Sequence, residues 1–349
     1  MRGKKIYDFI IVGQGIAGTV FACNLLKSNK SFFIFDSLNS KKNSPSRIAL
    51  GVYNPLVLKW ITKVSKAEIK LDALFSYCNF FENFFNVKVH YKQNIHRLLE
   101  SSYDVNNWNA KQVSTKLNNF LSPNLKSLNF SKKTFGQVLY SGWLDVNLML
   151  STFLDYLRKE NIIINQKIDY NRIIFKDNLF YYNNVISKNI VFCEGCSVSN
   201  NPFFKNVKIL PTKGEVIKIH CPNLNLNTVL HTGVITVPLN DNIYHIGSTY
   251  DHKDLSEAPT KKALEKFQNK LESFNSFPYN VIEHLAAHRP STRDRNPIIG
   301  PSVKNKNIFI LNGLGSRGIL LAPFLSEELL QHIYSNKSID IDISNKRFE

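Results

Sequence analysis

The sequence predicts an α/β protein, α+β overall, in which a parallel β-α-β domain carries an inserted antiparallel-sheet domain. Three observations support this. The first 36 residues read as strand, glycine turn, helix and strand. Parallel-type signals return at the C-terminal end, and residues 207–249 between them read as all-β, punctuated by Gly, Asn and Pro. This interleaving predicts a discontinuous first domain at residues 1–86, 142–206 and 285–349, and a second domain built from 87–141 and 207–284.

Residues 6–12 are apolar, β-rich and closed by glycine, which predicts a short buried strand. Residues 16–28 predict a helix with Ala17, Val20, Phe21 and Leu25 facing inward, and 32–36 predict a second buried strand. The Ser-, Asn- and Lys-rich stretch 37–47, with Pro45, predicts a loop. Leu71, Leu74, Phe75, Cys78, Phe81 and Phe85 recur at helical spacing over 64–86. Such a Phe stripe predicts core, not a ligand box. Shorter β-like segments follow at 87–99 and 135–140, around a polar stretch near 101–133. Asp145 predicts the N-cap of a helix over 145–160. Strand-like pieces recur at 162–168, 172–182 and 189–193. Helices are expected at 260–274 and 317–335, and strands at 281–290 and 308–311.

Gly13-Gln14-Gly15-Ile16-Ala17-Gly18 fits G-x-G-x-x-G between a predicted strand and a predicted helix, which is the context that gives the pattern meaning. Gly13 permits the tight turn, Gly15 lets a pyrophosphate approach the backbone, and Gly18 lets helix and strand pack closely. The helix N-terminus offers free N–H groups to phosphate. Asp36 closes the second strand, 18 residues beyond Gly18, where a carboxylate accepts from ribose hydroxyls. The pattern predicts a Rossmann-like domain for FAD or NAD and does not choose between them.

The chain has 349 residues and is 43% hydrophobic, so it can bury a large core, and wholesale disorder is excluded. Lys and Arg number 44 against 27 Asp and Glu, a net charge of +17. Lys dominates, and with abundant Asn, Ile and Phe this is the mix that an AT-rich genome encodes. Local balance says more. Residues 1–70 carry 12 basic and 3 acidic residues. Over 289–317, Arg289, Arg293, Arg295 and Arg317 outnumber Lys304 and Lys306, with Asp294 as the only acid. That reversal points to an anionic ligand.

No apolar run approaches the ~18–20 residues a membrane helix needs. The basic start Met1–Lys5 leads into a segment broken by Asp8 and Gly13, so no secretory h-region is expected. Five scattered cysteines predict free thiols and a cytoplasmic protein. Cys193 and Cys196 form a lone C-x-x-C. It is read as a strand-end core residue and its neighbour, with a redox dithiol as the alternative. A pyridine-nucleotide disulfide reductase would need a second β-α-β unit opened by G-x-G-x-x-G, and Gly313–Gly318, which repeats the spacing, leads into a helix with no strand expected after it. His231, His245, His252 and His288 have no metal-ligand spacing, and no metal is expected.

Further blocks choose FAD. Ser44-Pro45-Ser46-Arg47-Ile48-Ala49-Leu50-Gly51 resembles the Ser-rich, Gly-ended segment that lies along the flavin in the D-amino-acid oxidase superfamily. Val191-Phe192-Cys193-Glu194-Gly195 looks like that family's late FAD strand, with Cys193-Glu194 departing from its usual pair. His288 to Gly300 resembles its R-P-x-T-x-D-x-x-P-x-x-G, and Asn312 to Pro323 its closing FAD segment. The blocks fall in family order and span nearly the whole chain. The resemblance implies an FAD-dependent oxidoreductase, a flavoprotein. Its implied cofactor contacts are Ser46, Arg47, Ala49, Gly51, Gly195, Gly313, Gly315, Ser316, Arg317, Gly318 and Ile319, beside Gly13, Gly15, Ile16, Ala17, Gly18 and Asp36.

Two kinds of member present similar motifs. Glycine and sarcosine oxidases oxidise the C–N bond of small amino acids. The FAD domain of the bifunctional enzyme that matures methylaminomethyl-uridine at the tRNA wobble position removes a carboxymethyl group from a secondary amine. The Thr292-Arg293-Asp294 element and the Gly313–Gly318 run look closer to the tRNA enzyme, although its methyltransferase part is absent here. The expected substrate is therefore an amine or amino acid with a carboxylate, with tRNA as the alternative partner. The electron acceptor is O2 or one that the sequence does not identify. Arg289 is the expected catalytic contact, forking onto the substrate carboxylate, with pairing to Asp294 as the plain alternative. Tyr250 is a second candidate contact. Gly315 to Ile319 are expected to open the terminal helix, with their N–H groups toward the ring.

Overall fold

Phe9 to Val12 are fully buried in the middle of an eight-stranded sheet, because both faces of that sheet are covered. The protein is represented by a computed structural model, which describes residues 5–37, 44–128 and 131–348. Met1–Lys4 and the lysine-bearing part of the 37–47 loop, residues 38–43, lie outside them.

In this first sheet Ile6–Val12 pairs in parallel with Phe32–Asp36 on one side and Val185–Phe192 on the other. Ile163–Asn165 continues it in parallel beyond Phe32–Asp36. Val185–Phe192 pairs antiparallel with Leu179–Tyr182 through its first half, with Ile174–Lys176 beyond that strand, and in parallel with Asn305–Asn312 through its second. Ile298–Ser302 pairs antiparallel with Asn305–Asn312. Alternation sorts the side chains. Phe9, Ile11, Phe32, Ile34, Val191, Phe309 and Leu311 face helices Ile16–Lys27, Ala67–Phe85, Val146–Lys159 and Gly318–Ser335. Ile10, Val12, Phe33, Phe35, Ile190, Phe192, Ile308 and Ile310 fill the second core on the other face.

The second eight-stranded sheet runs, edge to edge, Asn280–Ser291, Leu210–His220, Ile243–Gly247, Ile235–Pro238, Val229–His231, Ile95–Leu99, Ser131–Val138 and Lys126–Leu128. Its pairs are antiparallel except Val229–His231 with Ile95–Leu99. One face is closed by helix Lys261–Glu272, with Phe267 and Leu271 packed on Ile217, Ile219, Leu230 and Ile246. The opposite face looks onto the first sheet.

The structure corrects several expectations. Helix 64–86 begins at Ala67, after Lys66 in a left-handed turn. The 87–99 segment is two strands, His90–Lys92 and Ile95–Leu99, and the first joins Gly142–Leu144 and Val52–Tyr53 in a small separate sheet. The polar 101–133 stretch contains a helix, Ser102–Gln112, closed by a Ser101/Asp104 capping box. The terminal helix starts at Gly318, not Gly315. The first helix is buried along every residue from Ile16 to Leu25 and not on one stripe, because it lies between the sheet and the other helices. No helix among the described residues is long and apolar enough to cross a membrane.

Candidate active site

A cleft of about 1200 Å³ runs between the two sheets. Its first end is made by the glycine turn. Gly13 has φ +104°, a conformation that side chains rarely adopt. A Cβ there, or at Gly18, would strike the carbonyl oxygen of Cys193 or Gly13 respectively. Gly15 lies open to the cleft, and a Cβ on it would come 3.0 Å from Ser46 Oγ. Ile16 N–H donates to that same oxygen at 3.1 Å. The helix above has neither a side-chain cap from Gly15 nor an acid in its first turn, so its positive end faces the cleft. Asp36 is buried at the end of its strand and lines the same end.

Ser46, Arg47, Ala49 and Gly51 continue the wall. Leu144 N–H donates to Gly51 O at 3.0 Å. Gly195 lines the cleft, and its carbonyl accepts from Asn312 Nδ2 at 2.9 Å, while Asn312 Oδ1 accepts from Gly313 N–H at 2.8 Å. Asn312, which the sequence reading did not single out, therefore ties two glycine turns together. Glu194, the departure from the family pattern, accepts from Tyr170 Oη at 2.6 Å and Asn201 Nδ2 at 2.7 Å. Gly315, Ser316, Arg317, Gly318 and Ile319 line the cleft. Gly13, Gly18 and Gly313 do not. They shape the backbone behind the wall.

Arg289 extends from Asn280–Ser291 and lays its guanidinium over Gly214, where any Cβ would collide with it. Nη1 donates to Thr249 O at 3.1 Å, and the guanidinium carbon sits 4.4 Å from the centre of the Tyr250 ring. The alternative pairing with Asp294 does not form, because Asp294 accepts from Arg347 Nε at 2.8 Å. Arg289 and Arg317 both line the cleft, and neither has an ion pair among the described residues. Burial pushes the pKa of each guanidinium down, and Tyr250 opposes this. Arg293 and Arg295 are exposed and point elsewhere. Tyr250 is 60% exposed, at the start of a segment pinned to the sheet. The buried Lys213 Nζ donates to Asp254, Ser256 and Ala258, and Glu215 accepts from the N–H and Oγ1 of Thr260 at 2.7 and 2.9 Å.

His288 also lines the cleft and has a buried Nε2 without a hydrogen-bond partner. All five cysteines are free. Burial raises both C-x-x-C thiols, Cys196 to about 11, so neither is a thiolate near neutral pH. Among the described residues no group of three His, Cys, Asp or Glu could hold a metal ion.

A cleft of this volume, opened by a glycine turn at a helix N-terminus and lined by two arginines without acidic partners, fits a dinucleotide-dependent oxidoreductase. The chain is a member of the FAD dependent oxidoreductase family, whose sequence profile matches residues 8–331. It is 29% identical over 153 residues to the tRNA 5-methylaminomethyl-2-thiouridine biosynthesis bifunctional protein MnmC of Marinobacter nauticus, covering 40% of this chain and 24% of that protein. It is 30% identical over 165 residues to glycine oxidase of Bacillus subtilis, covering 45% of this chain and 44% of that one. The matches thus span less than half the length of these relatives. The solved structure of iminodiacetate oxidase from Chelativorans sp. BNC1 superposes with a TM-score of 0.77 at 14% identity, covering 95% of this chain and 96% of that chain. At that identity the likeness concerns the fold alone.

Proposed function

We propose that this protein oxidises the C–N bond of an amino acid or glycine-like secondary amine. The observation behind the reading is Arg289, a buried guanidinium facing the cleft with no carboxylate of its own. FAD, when bound, takes up the hydride equivalent that leaves the substrate Cα. The residues that would hold it are Gly15, Ile16 and Ala17 at the pyrophosphate, Asp36 at the ribose, Ser46, Arg47, Ala49 and Gly51 along the wall, and Gly195 and Gly315 to Ile319 at the far end. Gly13, Gly18 and Gly313 give that wall its shape.

Arg289 binds the substrate carboxylate through its remaining N–H groups and fixes which Cα–H faces the cofactor. Tyr250 covers the guanidinium and limits access of water to it. The N–H groups that open helix Gly318–Ser335, with Arg317, supply positive potential to charge developing in the cleft. Loss of hydride from Cα of the neutral amine leaves an iminium ion, which water hydrolyses to an amine and an oxo acid with release of a proton. O2 or another oxidant then restores the enzyme. The free, largely buried thiols agree with a cytoplasmic setting.

The same chemistry on carboxymethylaminomethyl-uridine in tRNA is the second reading, favoured by the +17 charge and by the match to the bifunctional tRNA protein. One experiment separates them. FAD-loaded protein is mixed anaerobically with glycine, sarcosine, proline or modified tRNA, and bleaching of the flavin band is followed. Bleaching by a small amine supports the first reading, and bleaching by tRNA alone the second. No bleaching by any of the four rejects both.

A further inference from the structure

The cleft does not end at Arg289. One cross-strand row of the second sheet runs Arg97, His231, Ile235, Gly247 and Val216 over five neighbouring strands, and all five residues line the cleft. Arg97 is the last residue of the row to line the cleft, because its next partner, Gly136, does not. Arg289 lies over Gly214, two residues from Val216 on the fifth strand. Four strand spacings at ~4.8 Å put the backbones at Arg97 and Val216 about 19 Å apart, and Gly214 lies two residues along the strand from Val216. A glycine-sized molecule held by Arg289 does not reach Arg97.

Arg97 is unusual for a half-buried arginine. Its Nε and Nη1 are enclosed and have no hydrogen-bond partner, and it forms no ion pair among the described residues. Thr232 Oγ1, also in the cleft wall, is buried and unpartnered too. Buried donors without acceptors are uncommon and costly, so a group of them on one cavity wall calls for a ligand atom. Lys270 adds a second cation, 3.8 Å from Glu100. His231, between them, is held down to about 4 by burial first and then by Arg97 and Lys270, so it contributes no charge. The acids that face the group are Glu100, Asp104 and Glu257. Glu100 and Glu257 are exposed, and Glu100 and Asp104 act on Arg97 through space without pairing. Water screens them, whereas the guanidinium nitrogens are shielded.

We propose that Arg97, with Thr232 and Lys270, forms a distal oxyanion subsite, and that the molecule oxidised at the Arg289 end is extended and carries a second anionic group, a phosphate or a carboxylate. This rests on the amine-oxidation reading above and names its substrate class.

The test uses N-alkylglycines with linkers of graded length that end in a phosphonate, a carboxylate or a neutral carboxamide. For FAD-loaded protein, kcat and KM are measured by turnover and Kd by calorimetry. At the linker that spans the gap, an anionic terminus should lower KM and Kd by about tenfold or more relative to the carboxamide, with kcat little changed. The better of phosphonate and carboxylate identifies the natural group. In Arg97→Met this preference should fall to about one, and Arg97→Lys should restore part of it. Circular dichroism and the flavin spectrum check folding, and Lys270→Gln with Thr232→Val reads the same preference if Arg97→Met does not fold. No preference at any linker, or a preference unchanged by Arg97→Met, overturns the subsite. A Kd preference without turnover keeps the subsite and rejects the oxidation reading. Turnover without preference does the reverse.

Discussion

Arg289 and Arg347 show what separates an arginine open to a ligand from one committed to the fold. Arg347 is fixed by Asp294 and by backbone carbonyls, so its charge is spent within the fold. Arg289 has one carbonyl and one ring, and its other N–H groups face the cleft. Arg289→Ala should therefore raise KM for a carboxylate-bearing amine about 10- to 150-fold, the equivalent of the ~1.5–3 kcal/mol of a charged hydrogen bond. Lys should recover only part, because it lacks the fork. Steady-state kinetics with parallel flavin spectra measure this, and an unchanged KM would reject Arg289 as the carboxylate contact. The place of Arg289 in the cleft wall was legible because its neighbours form a spaced motif, and that of Arg97 was not. Ile95-His96-Arg97-Leu98 reads as any strand with one polar face, and only the register of distant strands turns that face into a cavity wall.

Helix Ser102–Gln112 was missed because only Trp108 is buried, so no apolar period marks it. The Ser101–Asp104 capping box was present in the sequence and could have found it. Helix Val146–Lys159 was readable on both counts, with Asp145 as N-cap and six buried apolar residues on one face. The segment from Tyr250 to Thr260 has no such pattern. Its path is set by Lys213, whose ammonium is buried while its partner Asp254 is partly exposed. Asp254→Asn strands a buried charge, whereas Lys213→Met removes it. Asp254→Asn should therefore destabilise more than Lys213→Met, by urea unfolding. Both variants should speed proteolytic cleavage within 251–260. Equal stability of the two would show that the ammonium is not the controlling group.

Across the whole molecule, burial lowers the pKa of sheet-borne histidines: His90 to about 4, His231 to about 4 and His245 to about 3, with His96 lowered as well. Their folded values lie below the unfolded 6.5, so the native state binds fewer protons. The stability from these groups is complete above about pH 6.5 and is lost as pH falls toward 4. Urea midpoints should drop steadily between pH 7 and 5, before most carboxylates titrate, and His245→Asn should flatten the slope. A level profile over that range would contradict the burial. The central parallel strands were legible because both their faces are covered, which leaves unbroken apolar runs, whereas the antiparallel strand Ile298–Ser302 was not expected. The division of labour between the sheets was less so, because Ile235, Gly247 and Val216 are ordinary strand residues until their row is assembled.

The pairing order of the first sheet also sets a timetable for synthesis. Of these paired strands Ile6–Val12 leaves the ribosome well before its neighbour Val185–Phe192, and Asn305–Asn312 follows last. Until then the half of Val185–Phe192 that awaits it is an uncovered apolar edge, prone to wrong pairing. A nascent chain stopped before Asn305 carries the whole glycine turn and still lacks the far wall of its cleft. Cofactor capture is thus a late event in the life of the polypeptide, and shortened fragments that keep the N-terminal motif should emerge colourless.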